Sequence, residues 1–341
     1  VSAACASGLT TIALGATSLL MNEADLVIAI GYDPISEFAH AGFTSLRLVS
    51  PTTIRPFTED REGMRVGEGA AAFVLERADD VERRGGSACA RLLGWGAASD
   101  AHHLTQPAPD GSGAARALRS ACQSLPEDSV PDLMVAHATS TPANDAAEYQ
   151  ALKGVLGNRL PEVSVTAMKS RIGHTLGAAG AVETAVAIAT MERGVVPSCA
   201  HAVRDEESFP ELDLVIGDAR PLQVDRAGVI SLGFGGADAS ILIESPTPRQ
   251  QIPPIYPCAD SLHDVVITGF KTLVPEDDVE PKEGVVLLDD AHLEGLDNPR
   301  AVRRLSRLAK LVRAAGFGAA ADAGLSEDQI ADLKKIGVMG Q

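Results

Sequence analysis

The chain has 341 residues, 45% of them hydrophobic and 22% charged, which excludes a disordered chain and allows one large domain or two ordinary ones. Its net charge of −17 argues against nucleic acid as a general partner, because binding a phosphate backbone needs a basic field. No apolar run is long enough to span a bilayer and no signal peptide is visible; an opening VSAACASG without an initiator Met reads as cut or processed.

In chain order, residues 7–22 read as an Ala- and Leu-rich helix and 26–31 (LVIAIG) as a short buried strand. Strands are expected at 70–76 (AAAFVLE) and 88–96 (ACARLLGWG), and a helix at 112–124. LMVAH (133–137) is a strand ending at a histidine, followed by a helix over 144–156 that Asn144 and Asp145 would cap. VSVTA (163–167) is a strand and 175–193 an Ala-rich helix. GVISLGF (228–234) and ASILIE (239–244) are strands flanking a Gly-rich turn. Short β-branched runs alternating with Ala-rich helices are the pattern of a layered α/β domain. Residues 246–257 hold five prolines, which no helix or central strand tolerates, and read as a linker. A further α/β stretch follows, with a strand at 264–270 (DVVITGF), a long helix at 299–324 and a closing strand at 335–340.

Five cysteines, at 5, 89, 122, 199 and 258, are odd in number, widely spaced and without a C-x-x-C pair. That fits neither a disulfide framework nor a structural zinc site; a reducing cytosol is the simpler reading, with most of the thiols acting as small buried hydrophobes. Cys5 is the exception to weigh. It stands in A-C-A-S-G at a helix N-terminus, where unpaired N–H groups and the helix dipole favour a thiolate. It is either a nucleophile or a buried structural thiol. His137, in H-A-T-S-T-P, lies at the carboxyl end of a strand, where α/β folds place ligands, although a lone strand-end histidine is more often a satisfied structural residue. Thr139, Ser140 and Thr141 behind it would hold a polar substrate arm or cap the next helix. In K-S-R-I-G-H-T-L-G-A-A-G, His174 begins a helix whose positive end favours a neutral imidazole, able to donate to a carbonyl oxygen. Glu183, nine residues on, would orient Lys169; the plainer alternative is a solvated Lys and a capping His. G-F-G-G-A-D (233–238) departs from a dinucleotide fingerprint, since a strand follows rather than a helix. Such a turn offers a backbone N–H to an oxyanion, or is simply a hairpin.

Together, A-C-A-S-G, R-P-F-T-E-D-R-E-G-M-R-V-G-E-G-A, H-A-T-S-T-P-A-N-D, K-S-R-I-G-H-T-L-G-A-A-G-A-V-E and G-F-G-G-A-D-A-S resemble, in this order, the β-ketoacyl synthases, condensing enzymes of thiolase-like layered α-β-α fold. The likeness runs nearly continuously from residue 1 to about 245. It implies a decarboxylative Claisen condensation of an acyl thioester with malonyl-acyl carrier protein through an acyl-Cys5 intermediate. His137 and His174 would hold the malonyl thioester carbonyl and promote decarboxylation, with Lys169 and Glu183 organising the charge around His174. The N–H groups of Cys5 and Phe234 would form the oxyanion hole, and Phe234 would gate the acyl pocket. Thr139 and Thr141 would touch the pantetheine arm, and Phe43 would line the acyl tunnel. No metal and no bound cofactor is implied, the phosphopantetheine of the carrier being part of the substrate. A cytoplasmic enzyme is expected, paired with a second copy or a synthase-like subunit. The alternatives are a non-catalytic chain-length-factor-like partner, disfavoured because Cys5, His137 and His174 are all present, or an inactive fragment of a tandem synthase.

Three departures stand out. Ala138 replaces the usual glycine after the first His, and Ala237-Asp238 stands where a hydroxyl residue and Asn are common. The third is architectural. DVVITGFKTLVP and residues 303–340 resemble the family's opening strand, first long helix and next strand, yet follow its carboxyl-terminal part. Residues 1–245 therefore read as the nucleophile-containing and carboxyl-terminal part, 246–262 as a Pro-rich linker, and 263–341 as an amino-terminal-like segment. The fold is incomplete, as a tandem fragment (the favoured reading), or circularly permuted. For docking an acidic carrier protein, Arg300, Arg303, Arg304, Arg307 and Lys310 share one helix face, which is equally read as an ordinary solvated face, and Arg47, beside Phe43, is a second candidate.

Overall fold

The first apolar run builds a buried helix, α1 (Ser7–Leu20), whose Leu9, Ile12, Ala16 and Leu19 recur at three- and four-residue spacing and are fully enclosed. Its Thr10 and Thr17 hydroxyls donate to the carbonyls of Ala6 and Ala13 at 2.9 Å, so these β-branched residues leave no polar atom unpaired. The computed structural model describes residues 1–127, 129–248, 264–274, 285–286, 307–326, 329 and 339–340.

After α1 come β1 (Leu26–Asp33), α2 (Glu37–Ser45), β2 (Val66–Gly67), β3 (Gly69–Arg77), α3 (Ala78–Arg84), β4 (Ala90–Ser99) and α4 (Ser112–Ala121). Next are β5 (Leu133–Val135), α5 (Pro142–Leu156), β6 (Ser164–Thr166), α6 (Lys169–Ile172), α7 (Ala179–Arg193), β7 (Val195–Val196), β8 (Asp213–Leu214) and β9 (Arg220–Pro221). The chain continues with β10 (Arg226–Gly233), β11 (Ala237–Glu244), β12 (Val265–Leu273), β13 (Val285–Val286), α8 (Arg307–Asp322) and β14 (Met339–Gly340). Helices α2 and α3 were not expected from the sequence; α2 buries none of its residues, so it has no apolar stripe to betray it.

A ten-stranded mixed sheet runs in the order β14-β1-β3-β12-β4-β11-β10-β5-β6-β8. Side chains alternate between its faces, and the layers can be read from that period of two. Ala71, Phe73 and Leu75 of β3 and Ala227 and Val229 of β10 face α1 and α7. Ala70, Ala72 and Val74 face α8 on the opposite side. Ile230 and Leu232 of β10 face the cluster containing Ala114 and Leu118 of α4 and Tyr149 and Leu152 of α5. Because both faces are covered, β3 is buried at all nine positions and reads as a continuous apolar run from Gly69 to Leu75, with the buried charged pair Glu76 and Arg77 at its end. Helices α1 and α7 cross where a Cβ on Gly8 would stand 2.6 Å from the Ala181 amide nitrogen, so this approach requires glycine.

Strand β12 enters the sheet between β3 and β4, antiparallel to both. It pairs with β3 from Val265–Arg77 to Leu273–Ala70, with a register shift near Gly269, where α8 packs backbone to backbone. Polar ties join this segment to the rest. Arg91 binds both Glu244 and Asp264, the Thr268 hydroxyl donates to Glu76 at 2.6 Å, and Arg307 pairs with the fully buried Glu68.

Two local expectations are corrected. The cap of α5 is Thr141, whose hydroxyl accepts the Asn144 N–H at 3.3 Å, and the helix starts at Pro142, whose missing N–H suits a first turn. His174 precedes a 3₁₀ turn (Leu176–Ala178), and α7 begins only at Ala179. Most of the Pro-rich stretch, residues 299–306 of the expected long helix, and 335–338 of the closing strand lie outside the described residues.

Candidate active site

Cys5 sits in a tight elbow. Ala4 adopts φ +47°, and the Ser7 hydroxyl accepts the Ala3 N–H at 2.9 Å while donating to the Ala4 carbonyl at 2.6 Å. Small residues are needed here because the end of β10 presses against the elbow. A Cβ on Gly233 would lie 2.8 Å from the Ala3 oxygen. The Phe234 N–H, one residue on, points at the Cys5 sulfur.

Two histidines meet that sulfur. The reactive atoms of Cys5, His137 and His174 all lie within 4.8 Å of one another. His174 Nε2 is 3.1 Å from Sγ, and the two imidazoles stand edge to face with centroids 5.2 Å apart. His174 Nδ1 accepts the Leu176 N–H at 3.2 Å, which places the ring proton of the neutral imidazole on Nε2, directed at the sulfur. That leaves this nitrogen a donor, with no lone pair to offer a metal ion. Burial, and then the charge of Lys169, hold both imidazoles well below their ordinary pKa.

The thiol behaves differently from the expectation drawn from its helix terminus. Burial pushes Cys5 up to about 11, outweighing the lowering by Lys169 and by the Phe234 N–H. In the unloaded cavity it therefore rests as a thiol at neutral pH. Lys169 forms an ion pair with Glu183, both almost fully enclosed. One Glu183 oxygen has no hydrogen-bond partner, and burial raises its carboxyl to about 7.

Sequence reasoning missed the carboxylates that hold His137 in place. Glu148 of α5 accepts the N–H of His137 at 2.6 Å and of Ala138 at 2.7 Å. One turn earlier, Asp145 accepts the N–H of Phe57 at 2.8 Å and of Ser140 at 3.0 Å, tying the 52–60 loop to the histidine loop. Ala138 and Ser140 have φ of +39° and +63°, so these bonds hold a strained turn. The available signal was two acids at i and i+3 in the first turns of a helix beginning just after the histidine loop.

The site opens into a cavity of about 210 Å³ lined by Cys5, His137, His174, Phe43, Thr139 and Thr141, among others. The Thr139 and Thr141 hydroxyls are 3.0 Å apart. Phe234 packs against Phe43 with centroids 5.5 Å apart, at the wall of the cavity. Arg47 lies exposed just beyond α2. Of the expected basic helix face, Arg307 is already committed to Glu68, and Arg300, Arg303 and Arg304 lie outside the described residues. Cys199 is buried and accepts the Ala167 N–H at 3.1 Å, as a small core residue would.

Comparison with known proteins gives consistent matches. The β-ketoacyl synthase N-terminal domain matches residues 1–81, and the β-ketoacyl synthase C-terminal domain residues 89–203. A curated relative, the 3-oxoacyl-[acyl-carrier-protein] synthase 2 of Staphylococcus aureus, is 35% identical over 250 residues, covering 71% of this chain and 60% of the relative. A solved β-ketoacyl synthase from Burkholderia phymatum superposes with a TM-score of 0.68 at 33% identity, covering 72% of this chain and 60% of its own. A second solved structure, the type II polyketide synthase acyl carrier protein in complex with its ketosynthase, gives 0.68 at 26% identity, covering 72% and 62%. The chain thus spans about 60% of the length of the relatives it matches.

Proposed function

Because the chain belongs to the β-ketoacyl synthase family and has its thiolase-like fold, we propose that it condenses an acyl thioester with malonyl-acyl carrier protein, losing CO₂. The observation that carries this reading is the convergence of one sulfur, two neutral imidazoles and the Phe234 N–H on one cavity. Cys5 Sγ attacks the acyl thioester carbonyl. The oxyanion forms against the N–H groups of Cys5 and Phe234, and the carrier thiol leaves with the proton that Cys5 gives up. Malonyl thioester then enters, its thioester oxygen facing the Nε2–H of His174 and the His137 ring. Those donors stabilise the enolate as the carboxylate departs as CO₂. The enolate carbon attacks the acyl-Cys5 carbonyl, and collapse expels the thiolate and releases the β-ketoacyl chain on the carrier. Neutral imidazoles suit this task, since each must donate a hydrogen bond without surrendering a proton. Burial keeps both rings neutral, and the charge of Lys169, paired with Glu183, adds to that effect. The presence of all three reactive groups weighs against a non-catalytic partner role.

Thr139 and Thr141 would receive the pantetheine arm, and Phe43 with Phe234 would meet the acyl chain. Arg47 would dock an acidic carrier protein at the cavity mouth. Reversing its charge should weaken carrier binding while sparing reaction with a small acyl thioester; equal loss of both rejects the docking role. The enzyme would work in the cytoplasm, paired with a second copy or a synthase-like subunit.

For residues 264–273 we propose the role of the family's opening strand, supplied from the carboxyl-terminal side of the synthase segment. The support is that β12 fills a slot between β3 and β4 within the same sheet and is fastened there by buried polar ties.

Release of CO₂ from malonyl-carrier protein tests the reaction. His174→Ala should keep acylation of Cys5 but lose decarboxylation by two or more orders of magnitude. Decarboxylation unaffected by removing either imidazole rejects the mechanism.

A further inference from the structure

Phe234 rides on the turn between β10 and β11, and that turn is strapped to the loop after β4. The Gly235 N–H donates to the Leu104 carbonyl at 2.8 Å, and the Asp100 N–H donates to the Gly236 carbonyl at 2.9 Å. Between these bonds lie two carboxyl groups. Asp238, at the start of β11, is 2% exposed, and neither of its oxygens meets an N–H or O–H donor. Asp100 spends one oxygen on the Ala108 N–H at 2.8 Å. Its other oxygen and one from Asp238 converge on α4, standing 2.1 and 2.3 Å from where a Cβ on Gly113 would be. Only glycine leaves room for the pair, and both acids line the cavity that holds Cys5.

Two carboxylates cannot share such a space with both charges intact; one proton between them turns repulsion into a hydrogen bond. We propose that Asp100 and Asp238 hold one proton in common and that this pair is the catch that keeps the Phe234 turn closed over the cavity. The charged groups acting on Asp238 are Asp100, from the end of β4, and Arg116, whose guanidinium on α4 donates to the Ser99 carbonyl at 2.7 Å. The cation lowers the carboxyl but is outweighed by burial and Asp100, so Asp238 is pushed up to about 8 from an ordinary 3.8. The sign follows from linkage. A raised pKa in the closed state means that closure is fully favoured below the ordinary carboxylate range. That preference is lost progressively as pH rises and levels off above about 8. The proposal builds on the acyl pocket assigned above, yet its test needs no condensation.

The experiment compares Cys5 alkylation by N-decyl iodoacetamide and by iodoacetamide from pH 6 to pH 9, with the modified residue located by mass spectrometry. The ratio of the two rates cancels the thiolate fraction and reports passage of a long chain. In the native protein the ratio should climb by up to about tenfold per pH unit toward pH 8 and then level. In Asp238→Asn and Asp100→Asn, where an amide can donate permanently, it should stay low and flat. A flat ratio in the native protein, or the same climb in both variants, overturns the proposal. Infrared difference spectra supply a second readout. At pH 7 the native protein should show one protonated carboxyl band more than Asp238→Asn, and no extra band contradicts the shared proton.

Discussion

Glu148→Gln probes the anchoring of His137 without touching a reacting group. Glu148 is fully buried, and its oxygens accept two backbone N–H bonds, from His137 and Ala138. Burial pushes its carboxyl up to about 8 from an ordinary 4.5. A group raised in this way contributes its full stability below pH 4.5 and loses it as pH climbs to about 8. Over that interval of 3.5 units the loss is about 5 kcal/mol, at ~1.4 kcal/mol per unit. Glutamine cannot ionise, but it offers one acceptor where two are needed, orphaning a buried N–H at a cost of ~1–3 kcal/mol. The variant should therefore be less stable than the native protein by ~0–2 kcal/mol near pH 5 and more stable by ~1–3 kcal/mol at pH 8. Urea denaturation followed by fluorescence of Trp95, the sole tryptophan, measures both proteins across this range. Taking their difference at each pH removes contributions common to both. A constant offset from pH 5 to pH 8 would refute the reasoning.

Gly8→Ala puts a methyl 2.6 Å from the Ala181 nitrogen and should cost ~1–3 kcal/mol in chemical denaturation while slowing Cys5 alkylation, because α1 carries the elbow. Lys169→Met removes the cation that lowers the Cys5 thiol and both imidazoles, so all three should titrate higher, visible as an upward move in the alkylation profile and the histidine NMR titrations. Thr141→Ala removes the α5 cap and should lower stability by ~1 kcal/mol, read as a drop in Tm.

Local pattern carried the strands and the Ala-rich helices, because each buries a face whose period is visible in a window of ten residues. The motifs around Cys5, His137 and His174 pointed to one chemistry only through their joint resemblance to the β-ketoacyl synthases, and these residues do meet. Long-range pairing was hidden. The strand at 265–273 was readable, but its slot between β3 and β4 depends on partners nearly 200 residues away. The same distance concealed Asp100 as the neighbour of Asp238, although the acid at 238 was visible as a departure from the family pattern. The rest state of Cys5 was misjudged because a helix terminus is legible in sequence and desolvation is not. Glu148 looked like an ordinary helix residue until both of its oxygens were traced to the histidine loop.

The most direct test is the mass of the protein after brief exposure to acyl-carrier protein, with the modified peptide identified. The account predicts one acyl chain, in thioester linkage, on the peptide containing Cys5, and none in Cys5→Ser. An unmodified Cys5, or an acyl chain found instead on Cys89, Cys122 or Cys199, would contradict it.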